Sequence, residues 1–96
     1  MNPLDKAWIG KTDLQVTRLG LGCSGLARAE TVHQASETFR TAMSQGINYI
    51  DTAPLYGLGS SEERLGMVLP EVERDRLVIS TKVGRMLRYG KQIDGD

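Results

Sequence analysis

A carboxylate, a phenol and an ammonium, at Asp51, Tyr56 and Lys82, are the side chains of this sequence best suited to do chemistry together. Two of them end or follow short apolar runs: Ile47-Asn48-Tyr49-Ile50 precedes Asp51, and Leu77-Val78-Ile79-Ser80 precedes Thr81 and Lys82. Neighbouring parallel strands lie about 4.8 Å apart, so side chains at their C-terminal ends can touch. Asp51 and Lys82 are expected at equivalent positions on consecutive strands, within ion-pair reach. Tyr56, five residues beyond Asp51 in a loop shaped by Pro54 and Gly57, is expected to return over the same mouth.

Such a group has a use. Reducing a carbonyl requires hydride at carbon and a proton at the developing alkoxide. A free phenol titrates near pH ~10 and is a poor acid at neutrality. A neighbouring ammonium favours the phenolate, and a carboxylate keeps that ammonium charged and oriented. On this reading Tyr56 is the general acid in reduction and the base in alcohol oxidation. Plainer readings stay open at this point: a structural salt bridge for Asp51 and Lys82, and a partly buried loop aromatic for Tyr56. His33 falls on the polar side of a helix and reads as solvated. Cys23 reads as a small packing residue, because no histidine stands near enough to activate it.

The elements that must position these residues follow from periodicity. Trp8 to Val16 holds two short extended pieces around a polar turn, a small hairpin. Arg18 to Gly22 is a short strand ending in a glycine-rich turn. A helix is expected from Thr31 to Gln45, with Thr31 and Gln34 as a capping box and Val32, Ala35, Phe39 and Ala42 as its apolar stripe. Gly46 stops it. After the strand ending at Asp51, Ser60 and Glu63 form a second capping-box candidate. Glu62 and Glu63 suit the positive end of the helix, Leu65, Val68 and Leu69 form its buried stripe, and Pro70 ends it. The tail from Gly84 reads as a loop.

Strand, helix, strand, helix, strand is the order of parallel β/α units. Arg18 to Tyr49 is 31 positions and Tyr49 to Leu77 is 28, close to the length per unit of a (β/α)₈ barrel of about 250 residues. An open doubly wound sheet has the same spacing. Gly20-Leu21-Gly22-Cys23-Ser24-Gly25 also matches the dinucleotide fingerprint G-x-G-x-x-G. However, Asp51 lies 26 positions past its last glycine rather than about 20, and the helix signal starts only near Thr31 instead of inside the motif.

Composition narrows the class. The 96 residues allow one small domain. Lys plus Arg and Asp plus Glu each number 12, and this balance argues against a nucleic-acid or anionic-membrane partner. No apolar run reaches the ~18–20 residues of a membrane span. The polar start and the single cysteine point to a cytoplasmic protein with no disulfide. No metal site is expected.

Three stretches carry a resemblance. Gly46-Ile47-Asn48-Tyr49-Ile50-Asp51-Thr52-Ala53-Pro54-Leu55-Tyr56-Gly57, then Ser61-Glu62-Glu63-Arg64-Leu65-Gly66, then Ile79-Ser80-Thr81-Lys82-Val83-Gly84, closely resemble the aldo/keto reductase signatures in order and spacing. The resemblance runs from Leu14 to about Arg88. It implies an α/β fold, the N-terminal portion of a (β/α)₈ TIM barrel with about three β/α units and a leading hairpin. It also implies NADP or NAD at the strand C-terminal mouth and a small-molecule carbonyl or sugar substrate. The family's catalytic Asp, Tyr and Lys map onto Asp51, Tyr56 and Lys82. The turn at Gly22, Cys23 and Ser24, with Asp51, falls where the family contacts its cofactor. Tyr56 to Glu62 and Thr81 to Arg85 are similar to the branch of L-fucose, D-threo-aldose and pyridoxal dehydrogenases.

The family's catalytic histidine and most of its cofactor-binding loops have no counterpart in these residues. Residues 1–96 are therefore expected to form a partial barrel, ending before a fourth strand and inactive by itself. Two other expectations stand beside the enzyme: a non-catalytic binding subunit of the same fold, and a decayed reading frame. Retention of Asp51, Tyr56 and Lys82 together favours the enzyme.

Overall fold

The structure is a computed structural model that describes residues 2–84, together with the backbone of residues 87–88 and 91–92. Its centre is a three-stranded parallel sheet made of β3 (Leu21–Gly22), β4 (Tyr49–Asp51) and β5 (Val78–Ser80), in that spatial order. Helices α1 (Ser24–Arg28) and α2 (Val32–Ser44) connect β3 to β4, and α3 (Ser60–Val68) connects β4 to β5. Strand order follows chain order without reversal, and the three helices pack on one another. This is single winding, with the helices on one side, as in a (β/α)₈ barrel. A doubly wound sheet would reverse its order and cover both faces.

Alternation along the strands sorts side chains between two faces. Leu21, Ile50 and Ile79 stand in one cross-strand row. They face the helices and meet Leu26, Ala35, Phe39, Leu65, Val68 and Leu77 in one core. Phe39 and Ile50 are fully buried. At about 25 cal/mol per Å² of apolar area, side chains of this size each contribute ~1.5–3 kcal/mol. The opposite face carries Gly22, Tyr49, Asp51, Val78 and Ser80, and is only partly covered.

Helix α2 has the expected start. Thr31 is its N-cap, and its hydroxyl accepts from the Gln34 N–H. The reciprocal half of the capping box differs, since Gln34 Oε1 accepts from the N–H of Glu30 rather than of Thr31. Ala35, Phe39 and Ala42 are buried, but Val32, the first residue of the helix, is exposed. Gly46 ends the element at φ 93°, in the left-handed region where a side chain is costly. The second capping box does not form. Ser60 is already helical, and the N-cap is Gly59 at φ 99°, which has no side chain with which to cap. Leu65 and Val68 are buried and Leu69 is half-buried, with a 3₁₀ turn at Leu69–Glu71 holding Pro70.

Three further corrections concern extent. Of the expected strand from Arg18, only Leu21 and Gly22 join the parallel sheet, while Arg18 and Leu19 donate to the Asp5 and Pro3 carbonyls. Helix α1 lies where a loop was expected, and it opens inside the glycine-rich run. It is five residues long, too short for periodicity to announce it. The tail is not all loop: β6 (Leu87–Arg88) pairs antiparallel with β7 (Lys91–Gln92).

The leading hairpin is present as β1 (Lys6–Trp8) and β2 (Gln15–Thr17), paired antiparallel. Asn48 fastens it to the entry of β4. The Asn48 side chain accepts from the Thr17 N–H at 2.7 Å and donates to the Gln15 carbonyl at 2.9 Å. The hairpin therefore sits at the N-terminal end of the sheet, away from Asp51.

Candidate active site

At the opposite, C-terminal end, the expected residues converge. Lys82 Nζ lies 3.4 Å from Asp51 Oδ1, 3.5 Å from Tyr56 Oη and 3.1 Å from the Thr52 carbonyl. An ammonium has three hydrogens, and these three acceptors engage all of them. The ammonium also stands 5.1 Å from the Tyr56 ring centroid, nearer the hydroxyl than the ring face. Asp51 and Lys82 are both about half exposed, at 45% and 54%.

The expected register is off by two residues. Asp51 pairs with Ser80, not Lys82. Lys82 follows two positions on, which returns its side chain to the same face of an extended chain. The residue that sequence reasoning missed is Ser80. Its hydroxyl donates to Asp51 Oδ1 at 2.6 Å and lies 3.2 Å from the Tyr49 hydroxyl. This contact with Ser80 is the largest influence on the Asp51 carboxyl; burial opposes it, and the Lys82 charge, a lesser effect, helps hold the group below its ordinary range. Burial alone would lower Lys82. The hydrogen bond to Tyr56 and the charge of Asp51 outweigh it and hold the ammonium above the usual lysine value.

Tyr56 is delivered by a tight turn. Residues Tyr56–Gly59 form this turn, in which Gly57, Leu58 and Gly59 all take left-handed, positive φ. Gly57 is required twice over. Its φ is 62°, and a Cβ there would come within 2.6 Å of the Ala27 Cβ. Below the turn, Thr52 and Ser61 share a buried hydrogen bond at 2.7 Å, and Ser61 donates to the Cys23 carbonyl at 2.9 Å. Arg64 donates to the Leu26 and Ala29 carbonyls, fixing the end of α1. These ties join the loops that follow β3 and β4.

The glycine-rich turn divides. Gly22 flanks Asp51 in register, and open space stands where its Cβ would be. Ser24 is half-buried at the start of α1. Cys23 does not present its side chain to the mouth as a cofactor contact would require. The thiol is fully buried in the core, and burial, aided by the Asp51 charge, pushes it up to about 11. His33 is exposed on α2, as expected.

A cleft of about 290 Å³ adjoins the cluster, lined by Ala53, Pro54, Leu55, Tyr56, Lys82, Val83 and Gly84. It is mostly apolar, with the phenol and the ammonium as its polar groups. A larger cleft of about 860 Å³ lies at the hairpin end of the sheet and includes no member of the Asp51 cluster. Among the described residues there is no group of three or more His, Cys, Asp or Glu side chains able to hold a metal ion, and no helix is long and apolar enough to cross a membrane.

Parallel strands with helices on one side and an Asp–Lys–Tyr cluster at their C-terminal ends form a barrel-type mouth, the end at which such folds carry their active sites. Residues 18–95 match the Aldo/keto reductase family model, and the chain belongs to the aldo/keto reductase family. It is 46% identical over 78 residues to a D-threo-aldose 1-dehydrogenase of a Pseudomonas species, a match covering 78% of this chain and 24% of that protein. It is 42% identical over 86 residues to a pyridoxal 4-dehydrogenase of Microbacterium luteolum, covering 86% and 25%. In three dimensions it matches an aldo-keto reductase of Bacillus halodurans in its holo form with a TM-score of 0.81 and 35% identity, over 92% of this chain and 28% of that one. The fold is thus the opening part of the family's (β/α)₈ barrel. The chain spans about a quarter of the length of the curated relatives it matches.

Proposed function

We propose that this chain carries the proton-transfer residues of an NAD(P)-dependent oxidoreductase that interconverts a carbonyl (aldehyde, ketone or sugar lactol) and the corresponding alcohol or lactone. The observation that carries this reading is the full use of the Lys82 ammonium. An ammonium can only donate, so at the 3.5 Å contact between Lys82 Nζ and Tyr56 Oη the phenol accepts and its own hydrogen is free to face a substrate oxygen. In reduction Tyr56 gives that proton to the developing alkoxide while the ammonium stabilises the phenolate left behind. In oxidation Tyr56 takes the proton back. Asp51, held ionised by Ser80 and Lys82, keeps the ammonium charged and in place.

The residues fit one end of a dinucleotide. The cleft of about 290 Å³ lies at the lower edge of the ~300–1,000 Å³ usual for small-molecule sites. It admits a ring-sized group rather than a whole NADP or NAD. Tyr56 and Lys82 would border the nicotinamide there, and Gly22, Ser24 and the Asp51 carboxylate, outside the cleft lining, would meet the adjoining riboside. When bound, such a cofactor supplies or removes the hydride. The names of the relatives, an aldose and a pyridoxal dehydrogenase, favour a small polar aldehyde or lactol as substrate. With the sheet face that bears Asp51 only partly covered, the 96 residues alone are proposed neither to bind the cofactor at micromolar concentration nor to turn over. Fluorescence titration with NADPH checks this.

The mechanism itself is tested by grafting residues 18–95 in place of the matching segment of the Pseudomonas D-threo-aldose 1-dehydrogenase and following absorbance of the reduced cofactor. The graft is expected to turn over, and Tyr56→Phe to lower kcat by about 10²–10⁴-fold, the usual worth of a positioned proton donor. Equal rates with and without the phenol would defeat the proposal.

A further inference from the structure

The geometry points to Ser80 as a positioning residue, which locks Asp51 towards Lys82 through a hydrogen-bonded line that begins at Tyr49. This inference rests on the oxidoreductase reading for its purpose, but not for its geometry. The donors in the line can be assigned. A serine hydroxyl has one hydrogen, and Ser80 spends it on Asp51 Oδ1 at 2.6 Å. The 3.2 Å contact between Tyr49 and Ser80 must then run the other way, with Tyr49 donating to Ser80 Oγ. The order is Tyr49 to Ser80 to Asp51, and Lys82 donates to the same Oδ1 from the far side.

Two donors on one oxygen pin the carboxylate. Oδ2 has no protein partner among the described residues and is left for a ligand. The row in which Asp51 stands explains why the pin is needed. Its neighbour on β3 is Gly22, with open space and no side chain to lean on, and its neighbour on β5 is Ser80. All lateral support therefore comes from the strand that leads to Lys82. Hydrogen bonds in such a line strengthen one another, and a donor to an ionised acceptor is roughly twice as strong as a neutral pair. Tyr49 in turn packs closely on Gly20, the residue before β3, where a Cβ would come within 2.8 Å of its ring.

Nuclear magnetic resonance titration of the Asp51 side-chain carboxyl carbon in the 96-residue protein tests the assignment. Ser80→Thr and Ser80→Val are near-isosteric and both suit a strand, yet only the first retains a hydroxyl. Asp51 in Ser80→Thr is expected to titrate with the parent protein, below the ordinary ~3.9. In Ser80→Val the midpoint is expected to rise towards that ordinary value, and Tyr49→Phe to give a smaller rise in the same direction. Identical midpoints in the Thr and Val variants would overturn the proposal, whether both match the parent or both are raised, because the hydroxyl would then not be what holds Asp51. The readout needs no turnover, so a silent hydride-transfer assay of the grafted enzyme would count against the oxidoreductase reading and leave this result standing.

Discussion

The two faces of the three-stranded sheet are built on opposite principles. The face of Leu21, Ile50 and Ile79 is closed by α1, α2 and α3 into an apolar core in which Phe39 and Ile50 are out of contact with water. The face of Tyr49, Asp51 and Ser80 is polar, hydrogen-bonded and half open. One face is satisfied by the β/α units themselves, each helix covering the strands it connects. The other gathers charge that the fold does not need, because exposed ion pairs contribute little stability. Groups costly to hold together and of small structural value are where chemistry is to be sought.

The sharpest contrast is between a core truncation and a mouth truncation. Phe39→Ala is expected to cost about 3–5 kcal/mol, a large part of the ~5–15 kcal/mol that holds a typical domain folded. Thermal unfolding by circular dichroism should show the native transition largely lost. Tyr56→Phe should leave that transition in place.

Between these extremes stands Gly57→Ala. It forces a side chain into left-handed backbone and against Ala27, with an expected cost of about 1–2 kcal/mol. Because the turn delivers Tyr56, the variant should also lose the Lys82–Tyr56 contact. Urea denaturation reads the first effect, and a nuclear Overhauser contact between the two side chains reads the second.

The smallest effects are in pH dependence, and they differ in sign. Asp51 and Glu71 titrate below their ordinary values, the first through Ser80 and the second through its hydrogen bonds to Arg40. Their contribution is complete above the usual carboxylate range near pH ~4 and is lost as pH falls through the depressed values. Asp51→Asn should therefore flatten the acid limb of a stability profile. Cys23 is raised from 9.0 to about 11. Its contribution is complete below 9.0 and disappears as pH climbs through the raised value, a decline that Cys23→Ala should abolish. The same burial predicts that iodoacetamide labels Cys23 at neutral pH only on unfolding.

The helix-covered face was the legible one. Spacings of three and four named Ala35, Phe39, Ala42, Leu65 and Val68, and burial follows that pattern because a helix stripe and its sheet are local in sequence. Val32 departs from it, since periodicity does not reveal where a core ends. Ser60 and Glu63 had the composition of a cap, but the left-handed Gly59 took the position. At the mouth, Asp51, Tyr56 and Lys82 could be named because few residue types do their chemistry. Ser80 was hidden by register: an unremarked serine in a strand acquires its role only when the pairing of Asp51 with Ser80 is known. Cys23 was placed with the cofactor contacts by its neighbours in sequence, and the strand-to-helix turn points it the other way.

The central claim is that Lys82 and Tyr56 act as one unit, and a double-mutant cycle on the grafted enzyme measures this directly. Lys82→Met and Tyr56→Phe should each reduce kcat by about 10²–10⁴-fold, and the double variant should fall no lower than the weaker single, as groups acting together do. Losses that multiply, with the double variant reduced by the product of the two singles, would mean that phenol and ammonium act independently and would contradict the account.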